Sequence, residues 1–139
     1  MKTIFKNILA ILGGVVIGMV VNMGLIITGN QLIPFEEGMN PMNAMSWEIR
    51  YFIFPFLAHS IGTFSGAYIA AKFSGSYQML FAICIGIFFL SGGISMVFIL
   101  PAPDWFVVVD LVLAYIPMGW LGWKISNIIT KPTSPIIPS

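Results

Sequence analysis

The sequence predicts an all-α membrane protein, a four-transmembrane-helix bundle closed by a short external interfacial helix. Four apolar stretches, near 8–28, 51–71, 78–100 and 105–123, carry the prediction. At a rise of about 1.5 Å per residue, each is long enough to cross about 30 Å of hydrocarbon. Composition agrees, because 58% of residues are hydrophobic and 8% charged, with a mean hydropathy of +0.97, an excess no soluble core uses. Charge is also sorted. Lys2, Lys6, Lys72, Lys124 and Lys131 fall on one side of the four spans, and Glu36, Glu37, Glu48 and Asp104 on the other, where Arg50 is the lone basic residue.

That sorting sets the expected topology. Lysine and arginine near span ends mark the cytoplasmic side, so both termini are expected inside and the 29–50 loop outside. The chain reads as one transmembrane domain over residues 1–139, with no basic patch suited to nucleic acid. Lys2 and Lys6 ahead of an apolar run resemble a signal peptide, but the run exceeds an h-region and no small-residue cleavage site follows, so span one is expected to stay as an anchor.

Small residues recur at helical spacing within the spans. Span one carries Gly14, Gly18 and Asn22 at steps of four, hence on one face. Span two places His59, Gly62, Thr63 and Gly66 along one side, and span three offers Gly86. Apolar burial does not drive helices together in lipid, so such faces are expected to allow close backbone packing. Pro117 should kink or loosen span four, since it has no amide hydrogen and its ring crowds the preceding turn. Cys84, the one cysteine, reads as a small packing residue inside span three.

Asn40-Pro41 in the outer loop is a helix-start signal, a capping side chain followed by proline at the first helical position. A short helix over about 41–50 is therefore expected on the outer surface, with Trp47 and Tyr51 at headgroup level. Pro101-Ala102-Pro103-Asp104 reads as a rigid turn in which Asp104 caps span four. The proline-rich tail 131–139 is expected to be irregular.

Three spans hold a strongly polar residue at similar depth: Asn22, His59 and Asp110, roughly 9 to 12 Å below the outer boundary at helical rise, with Ser91 and Ser95 bracketing that level. An ionised aspartate facing lipid costs on the order of 3 kcal/mol, so Asp110 is expected to face the bundle interior, with His59 its natural partner. Such a layer is either a hydrogen-bonded clasp that holds helix register or the polar floor of a pathway.

Other chemistry is thinner. Met39, Met42 and Met45 form a candidate Cu(I) thioether set, but two of the three also fit the apolar face of the expected loop helix, and packing is the preferred reading. One histidine and one cysteine on different helices argue against zinc or haem, so no metal or other cofactor is expected. No catalytic residue stands out.

The segments FIFPFLAHSIGTFSGAYIAAK (52–72) and AYIPMGWLG (114–122) resemble small uncharacterised four-span proteins of bacterial inner membranes, a family without a known activity. The resemblance implies the bacterial inner (cytoplasmic) membrane as location and carries no activity with it. On function, the leading expectation is a non-enzymatic accessory or structural component that packs in the lipid bilayer through its small-residue faces, as a homo-oligomer or within a larger membrane complex. A small proton-linked carrier or channel using the Asn22, His59 and Asp110 layer is the alternative, and an intramembrane enzyme the second.

Overall fold

A computed structural model describes residues 1–130; the tail expected to be irregular lies outside the described residues. The chain forms α1 (Lys2–Leu32), a single 3-10 turn (Ala44–Ser46), α2 (Ile49–Phe73), α3 (Gln78–Ile99), α4 (Asp104–Leu113) and α5 (Ile116–Thr130), with no strand among the described residues. α1, α2, α3 and the α4–α5 pair taken together are each long and apolar enough to cross a membrane. α1 runs 31 residues, about 46 Å at helical rise, past both ends of the 8–28 stretch.

α2 is the hub, packing on α1, α3 and α5. In its most apolar window 39% of residues are buried, against 17% for α1 and 22% for α3, whose remaining faces present large apolar side chains outward. Leu12, Val16 and Val20 on α1, and Val108 and Val112 on α4, are all exposed, the surface expected of helices solvated by lipid tails.

Glycine determines how closely α1 meets α2. A Cβ on Gly14 would stand 2.6 Å from the Gly66 carbonyl oxygen, and a Cβ on Gly66 would stand 2.6 Å from that of Gly14. One turn on, Gly18 and Gly62 repeat the arrangement at 2.9 Å in both directions. The backbones are in contact, and no larger residue fits at this spacing. Gly86 does the same for α3 and the helix break, its missing Cβ lying 3.1 Å from the Tyr115 carbonyl. Around the Gly14–Gly66 contact Ala67, Ala70, Ala71, Ala82 and Ile85 fill the core. At the end nearest Met1, Asn7 ties α1 to the α2–α3 turn, donating to Ser76 Oγ (3.0 Å) and accepting from the Gly75 amide (2.7 Å).

Span four is interrupted, as Pro117 predicts. α4 ends at Leu113, Ala114 and Tyr115 leave the helix, and α5 begins at Ile116. Pro117 has no N–H to offer the Leu113 carbonyl, so the turn ahead of it opens.

Several local expectations are corrected. The short interfacial helix over 41–50 is absent: the Asn40 side chain accepts from the Met42 amide (2.9 Å), but the chain then makes turns and the single 3-10 turn before α2 starts at Ile49. Ser46 Oγ donates to the Asn43 carbonyl, a local bond that competes with helix formation, and Trp47 turns extended. Trp47 and Tyr51 join an aromatic cluster with Phe35 and Phe52. Pro103 takes the N-cap position of α4 without a side-chain bond, and Asp104 sits in the first turn, where its charge opposes the positive end of the helix dipole. Cys84 faces outward on α3.

Candidate functional site

The site forms where α1 and α3 part above their closest approach. Phe89 of α3 lies against Gly18 of α1, close enough that a Cβ there would meet its ring at 2.6 Å. Beyond this plug, towards the 33–48 loop, α1, α2, α3, α4 and the loop enclose a cavity of about 460 Å³. That is within the usual size range for small-molecule sites. Its walls are largely apolar, with Ile26 on α1, Phe54 on α2, Met96, Val97 and Leu100 on α3, and Phe106 and Leu111 on α4.

Asp110 stands at the bottom of the cavity and is the one buried charged side chain among the described residues. Both carboxylate oxygens are engaged. His59 Nδ1 is 2.8 Å from Oδ1, and the Tyr115 hydroxyl donates to Oδ2 at 2.9 Å. The two partner rings stack, with centroids 5.8 Å apart and planes inclined by 28°. Helix interruption makes this possible. Asp110 lies in the last full turn of α4 and Tyr115 lies five positions on, outside the helix, so its ring reaches back across the break. The ring occupies space kept open by Gly93, whose Cβ would collide with the Tyr115 hydroxyl.

An Nδ1–H donated to a carboxylate leaves Nε2 as the imidazole's free lone pair, and protonation of Nε2 turns the same atom into a donor. Nε2 has no partner among the described residues, and His59 lines the cavity. The arrangement can therefore accept a proton from the cavity or return one to it, with Asp110 holding the ring and balancing the positive charge.

Of the expected polar layer, the fold brings His59 and Asp110 into contact and places Asn22 in the cavity wall, its Cβ packed over Gly62. Ser91 and Ser95 stand elsewhere. Both are exposed, and each hydroxyl bonds a carbonyl of α3 itself, Phe88 for Ser91 and Ser91 for Ser95. A serine in an apolar helix can satisfy its hydroxyl on its own preceding turn, so depth alone does not recruit it to a layer. Tyr115 was not expected in the layer. The available signal was Pro117, two residues on, which opens the turn that frees Tyr115.

The loop end holds the rest of the site. Arg50 pairs with Glu36 and, at 3.0 Å, with Glu48, and lines the mouth together with Trp47 and Tyr51. Met42 and Met45 stand exposed, Met45 within the 3-10 turn, so the apolar helix face expected to carry them is not formed. Among the described residues no three His, Cys, Asp or Glu side chains converge as a metal site. The cavity also has a side edge. Met23 on α1 and Met96 on α3 line it and are 58% and 43% exposed.

No protein-family model, curated protein or solved structure matches the chain.

Proposed function

We propose that this multi-pass membrane protein binds a small lipid-soluble molecule in the 460 Å³ cavity and exchanges a proton with it through His59. The observation that carries the reading is the Asp110 carboxylate, buried at the cavity floor and held on both oxygens by His59 and Tyr115. Ionisable groups at membrane depth are expensive to maintain and mark sites where charge or protons are handled. The floor is also closed beneath, by Phe89 against Gly18 and by the glycine contacts of α1 with α2. A one-ended pocket supports binding or loading from one face rather than an open channel.

The accessory reading drew on small-residue faces left for a partner. Gly14, Gly18, Gly62, Gly66 and Gly86 instead meet the protein's own backbone or side chains, so internal packing accounts for them. Orientation follows from charge. Lys2, Lys6, Lys72 and Lys124 lie near the helix ends away from the cavity mouth, and the acidic loop lies at the mouth. The positive-inside rule then puts the termini in the cytoplasm and the mouth on the external face, and the bacterial inner membrane is the membrane we assign.

Native mass spectrometry of the protein released from its own membrane tests the reading. A retained small apolar mass, lost when Val97→Trp fills the cavity, supports it. An empty cavity with a stoichiometric foreign subunit in its place returns the chain to the accessory role.

A further inference from the structure

Two buried polar atoms have no hydrogen-bond partner among the described residues, and both belong to side chains lining the cavity mouth: Trp47 Nε1 and the Tyr51 hydroxyl. Tyr51 is 95% buried. A buried donor left unpaired is costly, so a pair of them at one cavity is the feature a ligand would explain. Their chemistry selects among ligands. An indole N–H can only donate, so the bound group must supply an acceptor.

Charge narrows the choice. Arg50 at the mouth is already held by Glu36 and Glu48, so an anionic acceptor such as a phosphate or carboxylate finds its counter-charge engaged. A lipophilic cation gives the indole no acceptor. A carbonyl oxygen meets both demands, being neutral and offering two lone pairs to two donors, whose rings lie 6.5 Å apart at the centroids. The apolar walls and the edge between Met23 and Met96 fit a compound that arrives dissolved in the bilayer.

We infer that the cavity takes a neutral, lipid-soluble carbonyl compound whose oxygen receives the Trp47 Nε1–H and Tyr51 O–H donors at the mouth, with the rest of the molecule lying along the apolar walls towards Val97. The inference rests on the cavity being a ligand site. Ring carbonyls of quinones and ester carbonyls of neutral lipids share this chemistry.

The test is calorimetric titration and thermal melting of the full chain in detergent micelles with three probes: a decyl-substituted benzoquinone, 1-monooctanoylglycerol, and tetraphenylphosphonium, which has no acceptor. One carbonyl probe should bind and raise the melting temperature, and the one that does identifies the source. Tyr51→Phe and Trp47→Phe should each weaken it roughly 2- to 10-fold, the effect of one neutral hydrogen bond. Without ligand, Tyr51→Phe should melt no lower than the wild type, because it deletes an unpaired hydroxyl. Val97→Trp, or Ile26→Trp on the opposite wall, should abolish binding. Carbonyl binding that these blocks remove but Tyr51→Phe and Trp47→Phe leave intact overturns the inference and spares the cavity reading, as does binding of tetraphenylphosphonium alone. Binding of no probe, or binding indifferent to both tryptophan blocks, overturns the two together.

Discussion

His59 Nδ1 and Asp110 Oδ1 stand 2.8 Å apart, 51 positions apart in sequence, and join α2 to α4 where those helices share few other contacts. Tyr115 holds the carboxylate's second oxygen, so one side chain organises two others. Removing it leaves both without a partner. Asp110→Ala should cost about 1–3 kcal/mol, since interhelical hydrogen bonds in membranes average near 0.6 kcal/mol and unpaired buried groups add to the loss. Asp110→Asn keeps an acceptor and should lose less stability while abolishing proton exchange. Unfolding in a denaturing-detergent titration, paired with ligand-linked proton release, separates the two effects.

The contact of α1 with α2 should be intolerant of side chains where the carbonyls face the missing Cβ atoms. Gly14→Val and Gly66→Val each put carbon within 2.6 Å of a backbone oxygen, which only helix separation relieves, so each should destabilise by about 1–3 kcal/mol or more. Gly24 has open space around its Cβ position, and Gly24→Ala should be neutral or slightly stabilising through helix propensity. The same detergent titration ranks the three.

Pro117→Ala restores an N–H that can bond the Leu113 carbonyl and favours one continuous helix through residues 113–117. Tyr115 would then rotate with the helix and leave Asp110. The expected outcome is hydrogen-exchange protection gained at 115–117, together with lowered ligand affinity as Asp110 loses the Tyr115 hydroxyl.

Ser91→Ala and Ser95→Ala should change stability by less than about 0.5 kcal/mol, because both hydroxyls are exposed and bonded only within α3. A larger loss, or a change in ligand binding, would show that α3 brings these residues to the site in the membrane.

Much of the architecture was legible because lipid imposes a simple rule. Every backbone polar group must be satisfied within its own segment, so apolar length translates directly into helices, and 78–100 became Gln78–Ile99 with one residue changed. Glycines at steps of four likewise marked the α1 face on α2, since spacing of four is all that a shared helix face requires. The loop was not legible in the same way. Asn40-Pro41 signals a helix start locally, but the chain there is held by tertiary contacts: Trp47 packs on Phe35 and Phe52, and Arg50 reaches Glu36.

Sequence by itself determined the four apolar spans and the interruption near Pro117, because these depend on rise per residue and on the lost amide of proline. Tertiary structure decided which polar groups meet. Helix rotation turned Ser91 and Ser95 outward, the broken helix carried Tyr115 onto Asp110, and the parting of α1 from α3 above Phe89 opened the cavity. Those outcomes depend on how helices rotate and cross, which is set by the sum of close contacts between distant segments.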